Sequence, residues 1–153
     1  HNVIIINIIF RMRSFHFIDP SCADLADVYR DNFQPSIFAK EPRVSLGVFS
    51  ICADTDKEAE ELSLSAAAWR QNSQKGIFGS FPTLREAKES INGDLAENND
   101  NRTFVGSAQA IRQKIRPLLD KVEPEELKII TICEPFSARV RSYDLINQSF
   151  SLN

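Results

Sequence analysis

The stretch Arg43–Ala53 reads RVSLGVFSICA, and it decides the fold. Its apolar side chains occur on both faces of an extended chain, which is typical of a strand buried in a parallel sheet. Asp54, Thr55 and Asp56 follow directly and supply an N-cap with early acidic residues, which predicts the start of a helix. A strand followed at once by a helix is the unit from which α/β folds are built.

The same unit recurs on both sides of this stretch. Upstream, residues 14–18 (SFHFI) predict a short strand, and Ser21 begins a helix. Downstream, residues 127–133 (LKIITIC) predict a second buried strand, and a last helix follows Pro135. The apolar stripes of the predicted helices are Leu25, Val28, Tyr29 and Phe33; Ala59, Leu62, Ala66 and Trp69; and Phe136, Val140, Tyr143 and Ile146.

Between these units lies a region of different character, residues 76–102. It holds three glycines, a proline and a polar run, and its one helix signal is a capping box, Thr83 to Glu86. Its length and polarity fit a functional lid and plain disorder equally well. Beyond it, residues 103–107 predict an extended segment leading into a helix that Pro117 should kink or end.

This alternation predicts an α/β fold with parallel strands and right-handed crossovers. Two architectures remain open, a small open sheet and part of a closed eight-stranded barrel.

Composition narrows the function classes. The chain has 153 residues, of which 42% are apolar and 25% charged, as in an ordinary globular domain. Its net charge of −3 argues against a nucleic-acid-binding protein and against a polybasic membrane anchor. Cys22, Cys52 and Cys133 form no CxxC motif, and with only two histidines the sequence predicts no metal site. Unpatterned cysteines fit a reducing cytoplasm.

The first residues are unusual, because the chain begins at His1 and its one methionine is Met12. The apolar run Val3–Phe10 (VIIINIIF) is shorter than the roughly 20 residues that a membrane span needs, and it lacks the features of a signal peptide. Two interpretations stay open: a piece of a longer protein, or a natural start at Met12.

Five segments, taken in order, resemble one family. They are residues 23–36, 44–60, 104–112, 126–130 and 138–145, and the second contains the run Ala-Asp-Thr-Asp-Lys-Glu-Ala-Glu. This order is similar to that of the bacterial-luciferase-like, flavin-dependent monooxygenases.

The resemblance implies a fold and an activity. The family fold is a (β/α)8 barrel of about 250 residues or more, so residues 13–153 would be its C-terminal part, a partial TIM barrel. Residues 1–12 would be an unmatched extension, residues 76–102 a mobile insertion, and the N-terminal half of the barrel a missing partner. The implied activity is oxidation of a small organic substrate with O2 and reduced flavin, the implied cofactor is FMN, and a homodimer is one assembly open to it.

Three residues are candidates for cofactor binding, and no catalytic residue is assigned. His16 lies at the end of a predicted strand, where barrel enzymes place the pocket; the alternative is a core histidine bonded to backbone. Gly106 and Ser107 open a helix whose free N–H groups could hold a phosphate; the alternative is a plain serine N-cap.

Two further hypotheses compete with the enzyme. The chain could be a catalytically inactive remnant or interaction fragment of the same family. It could also be an independent, small ligand-binding α/β domain, which explains the alternation of elements but not the ordered motifs.

Overall fold

A computed structural model describes residues 13–14, 23–90 and 103–151 of the chain. The expectations for His16, for the extension at residues 1–12 and for the last part of the insertion, residues 91–102, lie outside the described residues.

Four strands and five helices follow one another in the described ranges. In chain order they are β1 (Arg13–Ser14), α1 (Ala23–Asp31), β2 (Val44–Ala53), α2 (Asp56–Gln74), α3 (Leu84–Ser90), β3 (Thr103–Ser107), α4 (Ala108–Val122), β4 (Glu126–Ile130) and α5 (Phe136–Ser151).

The long strand β2 organises the sheet, because β1, β3 and β4 all pair with it in parallel. Ser45 has one partner in β1 and another in β4, while Phe49 has one in β3 and another in β4. A strand residue has one neighbour on each side. β1 and β3 therefore share one edge of β2, and β4 lies along the other.

Two hydrophobic clusters cover β2, and its residues divide between them by alternation. Val44, Leu46, Val48 and Cys52 belong to the first cluster, with residues of α1, α4 and α5. Ile51 and Ala53 belong to the second, with residues of α2. Since successive strand residues point to opposite faces, the helices pack against both faces of the sheet. The buried helical members are Ala26, Ile111, Ile115, Val122 and Ile146 in the first cluster, and Ala59, Leu62 and Ala66 in the second.

The expectation of a partial barrel is corrected by this arrangement. Neighbouring strands of a closed barrel follow one another around a ring with helices outside, whereas here β3 and β4 flank β2 and helices cover both faces. The described residues form a compact α/β fold around an open parallel sheet. Alternation of strands and helices is common to both architectures, which is why the sequence pattern could not separate them.

Some predicted helix faces are also wrong. Trp69 is 41% exposed rather than buried, and of the predicted stripe on α5 only Ile146 is buried. α4 continues through Pro117 without ending. Pro117 and Gln113 are both exposed, so the carbonyl that loses its helical partner faces solvent.

Candidate functional site at the carboxyl edge of the sheet

Ligands of open parallel α/β sheets bind outside the carboxyl ends of the strands. At that edge Asp54 and Asp56 follow β2, Ser107 ends β3, and Arg139 and Arg141 come from the first turns of α5, just beyond β4. These five residues are called the carboxyl-edge cluster below.

Asp56 and Ser107 join the ends of two neighbouring strands. The N–H of Ser107 donates to Asp56 Oδ1 at 2.6 Å, and Ser107 Oγ accepts from the N–H of Ala110 at 3.4 Å as the N-cap of α4. The hydrogen bond from the Ser107 N–H holds the pKa of Asp56 below its usual range. The carboxylate thus lies where the helix dipole of α4 favours negative charge.

The turn before Ser107 is built around a glycine. Gly106 has φ of 151°, and a Cβ placed on it would lie 3.0 Å from Ala110 Cβ and 3.1 Å from Asp56 Oδ1. Lys114 Nζ crosses the same turn and donates to the carbonyl of Val105 at 2.6 Å. Both the backbone angle and the close approach therefore require glycine here.

Gly106→Ala should lower the free energy of unfolding by about 1–3 kcal/mol, because alanine at this φ is strained and its Cβ has no room. Urea denaturation measures the loss. Gly79→Ala is the matched control, since a Cβ at Gly79 meets nothing within 4 Å. Equal losses in the two variants would contradict the close packing of the Gly106 turn.

Asp54 and Arg141 form a second connection, from the end of β2 to α5. Arg141 Nη2 donates to Oδ1 at 2.5 Å and Nε to Oδ2 at 3.3 Å, a bidentate pair. The hydrogen bond from Arg141 lowers the pKa of Asp54, and the same bond raises the pKa of Arg141. Both side chains remain about half exposed, so the pair positions residues more than it stabilises the fold.

The lowered pKa values of Asp54 and Asp56 make the free energy of unfolding depend on pH. A carboxylate whose pKa is lower in the folded protein contributes stability that is present above its unfolded pKa and is lost as pH falls through the folded value. The difference in unfolding free energy between the wild type and a double variant, Asp54→Asn with Asp56→Asn, should therefore shrink on acidification below about pH 4. Urea denaturation over a pH series measures it, and a difference that stays constant with pH would exclude this linkage.

Beneath the cluster lies a buried network of hydroxyl groups. The N–H of Cys52 donates to Ser142 Oγ at 2.9 Å, and Ser142 Oγ lies 3.3 Å from Thr131 Oγ1. The N–H of Thr131 donates to the Tyr143 hydroxyl oxygen at 3.0 Å. The network fixes α5 against β2 and against the residues that follow β4.

The two described cysteines do not supply a thiolate at neutral pH. Burial, with a smaller contribution from Asp54, raises the pKa of Cys52 to about 11. Burial also raises the pKa of Cys133. Since the thiolate is the nucleophilic form, both cysteines act as small core residues.

Arg139 has unused donor capacity among the described residues. Its Nη2 donates to the carbonyl of Cys133 at 3.2 Å, and its guanidinium lies 5.8 Å from the centre of the Phe136 ring. Within the described part of the chain, the buried Nε has no hydrogen-bond partner. A carboxylate or phosphate oxygen would reach this Nε only after the Arg139 side chain moves, because the atom is buried. The contacts of Arg139 and Arg141 could not be predicted from local spacing, because it does not reveal what α5 packs against.

Of the three residues predicted to bind a cofactor, the structure places Gly106 and Ser107 but does not describe His16. Gly106 and Ser107 do lie at the carboxyl edge, but the Ser107 N–H already bonds the Asp56 carboxylate. A phosphate at this turn would meet negative charge, so the turn as it stands does not fit a phosphate group. His16 lies outside the described residues, and binding of a cofactor by any of the three stays a prediction.

Metal-binding clusters and membrane-spanning helices are both absent from the described ranges. No group of three or more His, Cys, Asp or Glu side chains there could hold a metal ion. None of the helices described is both long and apolar enough to span a bilayer.

The chain resembles proteins of Bacillus subtilis (strain 168). It is 33% identical over 140 residues to "Uncharacterized protein YceB", a match that covers 88% of this chain and 42% of YceB. It is 28% identical over 128 residues to "Uncharacterized protein YwcH", covering 80% of this chain and 38% of YwcH. The chain thus spans about two fifths of the length of the curated relatives it matches. No family model matches it.

Two solved structures are similar to the fold. The structure of apo-MsnO8 superposes with a TM-score of 0.82 at 28% identity, covering 93% of this chain and 45% of MsnO8. The monooxygenase RslO1 from Streptomyces bottropensis superposes with a TM-score of 0.53 at 14% identity, covering 92% of this chain and 40% of RslO1. At that identity the second likeness concerns the fold alone.

These comparisons correct the assignment to the luciferase-like family. No family model matches, the relatives are described as uncharacterized, and one similar structure is described as a monooxygenase without that family name. Two of the segments that carried the resemblance have local roles, with Thr55 as N-cap of α2 and Ser107 as N-cap of α4. Helix starts of this kind are common in α/β proteins. The comparisons support a more general conclusion, that the fold of this chain is similar to that of a monooxygenase.

Proposed function

We propose that this chain forms part of a monooxygenase. The observation that supports the proposal is the similar fold of the monooxygenase RslO1; nearly the whole chain, 93%, also superposes on MsnO8. Because the chain spans about two fifths of its curated relatives, the proposed activity belongs to the longer polypeptide of which such a fold is a part.

The proposed reaction transfers one oxygen atom of O2 to a small organic substrate. The second oxygen atom leaves as water, and the reaction consumes two electrons and two protons from a reductant. A bound cofactor would carry that redox chemistry, while the protein would supply binding and orientation. FMN is the cofactor that the family resemblance implied, and it stays a proposal, although the Gly106 turn does not fit its phosphate.

Arg139 is the residue best suited to hold an anionic group of a cofactor or substrate. It has an unbonded Nε, and Phe136 shields one side of its guanidinium. Arg141 is a weaker candidate, because an anion would have to displace the Asp54 carboxylate. The role proposed for Arg139 is binding and orientation, since a guanidinium presents several hydrogen-bond donors in one plane and no acceptor.

A titration with FMN tests the cofactor and the role of Arg139 together. We expect saturable quenching of FMN fluorescence with a raised melting temperature, and weaker binding by about tenfold to a hundredfold in Arg139→Gln, as for loss of a charged hydrogen bond. Arg116→Gln is the matched control, since Arg116 pairs only with Asp120 on the exposed surface of α4. A cooperative melt unmoved by roughly millimolar FMN would reject FMN binding and would favour the inactive-remnant hypothesis.

Isotopically labelled O2 tests the oxygen transfer itself. The full-length relative YceB, supplied with reduced flavin and a panel of small organic substrates, should place one labelled atom in a product and the other in water. Consumption of O2 with no label in an organic product would contradict the proposed reaction class.

A further inference from the structure

Ser50 carries a hydroxyl group inside the core that forms no hydrogen bond with the described residues. The residue lies in β2 and is fully buried. An isolated hydroxyl of this kind costs free energy, because folding removes its hydrogen bonds to water. Waters buried inside proteins typically hydrogen-bond the polar groups that the chain itself leaves unsatisfied. Whether a water fits here depends on a second polar group close to Ser50.

The side chain of Ser50 lies on the sheet face that α4 and α5 cover. Val48 and Cys52, two positions to either side of it on β2, belong to the hydrophobic cluster of these helices. Strand residues two apart share a face, so Ser50 shares theirs. In the register of the sheet its neighbour on β3 is Phe104, which packs against the same cluster and has no hydrogen-bonding side chain. A polar side-chain partner must therefore come from the β4 side or from the helices.

Thr131 lies on the β4 side of Ser50. Phe49 and Ile130 are the last paired residues of the two strands. Ser50 and Thr131 follow them directly in the chain. Thr131 is 3% exposed, and its Oγ1 lies 3.3 Å from the Oγ of Ser142, which is fully buried on α5. Three buried hydroxyl groups therefore meet where β2 and β4 end beneath α5.

The spacing of parallel strands matches one bridging water between Ser50 and Thr131. Neighbouring strands lie about 4.8 Å apart, and paired residues of parallel strands point to the same face. Two hydrogen bonds of about 2.8 Å that meet at a tetrahedral angle span about 4.6 Å. A direct bond between two hydroxyls needs a separation of about 3 Å or less, and the Ser50 Oγ forms none with the described residues. The separation is thus too wide for a direct bond and suits a water-mediated one.

The neighbouring hydroxyl groups have capacity left for such a water. Thr131 and Ser142 carry two hydroxyl hydrogens, and the contact between their oxygens uses one of them. Ser142 Oγ also accepts the hydrogen bond of the Cys52 N–H. A water both donates and accepts, so it can bond this pair and the hydroxyl of Ser50 at the same time.

We propose that an ordered water molecule binds between Ser50 Oγ and Thr131 Oγ1 and forms a fixed part of the folded chain. Through the contact of Thr131 with Ser142, this water links β2 to α5, the helix that carries two arginines of the carboxyl-edge cluster. The water site lies inside the core, apart from that cluster. It does not depend on the proposed monooxygenase activity, because its partners are groups of this chain alone.

Ser50→Ala tests the water through its effect on stability. Without a bound water, alanine would remove an unsatisfied polar group, and the equilibrium constant of unfolding would stay the same or fall. We expect a rise of about tenfold instead, since the variant loses a hydrogen bond and leaves the water short of a partner. Urea denaturation measures the constant.

Ser65→Ala is the matched control. Ser65 Oγ is likewise buried without a partner among the described residues. The other buried residues of α2 are apolar, among them Leu62, Ala66 and Ala68, so this face of the helix offers no second polar group to hold a water. The equilibrium constant of unfolding should therefore not rise in Ser65→Ala.

A high-resolution crystal structure of the wild-type chain tests the water directly. We expect an electron-density peak within about 3.2 Å of both Ser50 Oγ and Thr131 Oγ1. This measurement needs no variant, so it decides the matter even if Ser50→Ala fails to fold. The proposal is overturned by a direct hydrogen bond from Ser50 to a protein atom, by the lack of a peak between the two hydroxyls, or by equal responses of Ser50→Ala and Ser65→Ala.

Discussion

Leu46→Ala should lower the free energy of unfolding by about 2–5 kcal/mol, the range observed when a buried leucine leaves a cavity. Leu46 is fully buried in the first half of β2, within the cluster to which α1, α4 and α5 contribute. Few neighbours can move into the space, because Leu46 pairs in register with Leu127 of β4 and lies among the fully buried residues of the first cluster. Urea or thermal denaturation measures the loss.

Leu25→Ala provides the control for that experiment. Leu25 lies on α1 and is 48% exposed, so its truncation removes little buried surface. A change within about 0.5 kcal/mol is expected, as for most surface substitutions. Similar losses in the two variants would contradict the placement of β2 at the centre of the core.

Ser142→Ala should cost about 1–3 kcal/mol of stability, although it removes one atom. The hydroxyl of Ser142 is buried and accepts the hydrogen bond of the Cys52 N–H. Alanine would leave that N–H without a partner in the core, and Thr131 would lose its contact with the hydroxyl. Thermal denaturation of the variant, together with faster hydrogen exchange at the Cys52 amide, would report both effects.

Ser63→Ala is the matched serine variant. The Ser63 hydroxyl donates to the carbonyl of Glu60 on the exposed side of α2, where water can replace it. Its loss should change stability by no more than about 0.5 kcal/mol. If Ser142→Ala were equally neutral, the hydroxyl network would not be what holds α5 to β2.

The sequence predicted the elements best where the signal was local. The apolar run of β2 and the caps that follow it depend on neighbouring residues, and the structure has the predicted strand at Val44–Ala53 and a helix capped by Thr55. The capping box of Thr83 and Glu86 likewise precedes α3, with the Thr83 N–H donating to Glu86 Oε2 at 2.7 Å.

Prediction from the sequence failed for helix faces and strand order, because these depend on contacts between residues distant in the chain. Helical periodicity predicted an inward stripe of Phe136, Val140, Tyr143 and Ile146, but periodicity alone does not fix which side of the helix meets the sheet. In the structure Ile146 is buried as predicted, together with Ser142, whereas the other three residues of the stripe are exposed. The sequence pattern could not distinguish an open sheet from a barrel for the same reason, since the distinction depends on which edge of β2 each strand pairs with.

The carboxyl-edge cluster depends on distant partners even more strongly. Asp54 meets Arg141, and Asp56 meets Ser107, across intervals that no local motif spans. Sequence reasoning located Gly106 and Ser107 by their position before a helix, but it missed the carboxylate that occupies the same turn. In parallel sheets, acidic residues that follow one strand lie next to the helix that starts after the neighbouring strand. This rule would have predicted the Asp56 carboxylate at the turn.

The sharing of β2 by three strands also shapes how the chain reaches its native state. Val44 pairs with Arg13, Ser45 with Glu126 and Phe49 with Thr103, so every contact in the sheet closes a loop of more than thirty residues. Loop-closure entropy must be lost before such contacts stabilise anything, and folding rates fall as contacts become more distant in sequence. The helices can form early from local contacts, while the sheet assembles only once β2 has met its partners, so the rate-limiting step of folding should be sensitive to substitutions in that one strand.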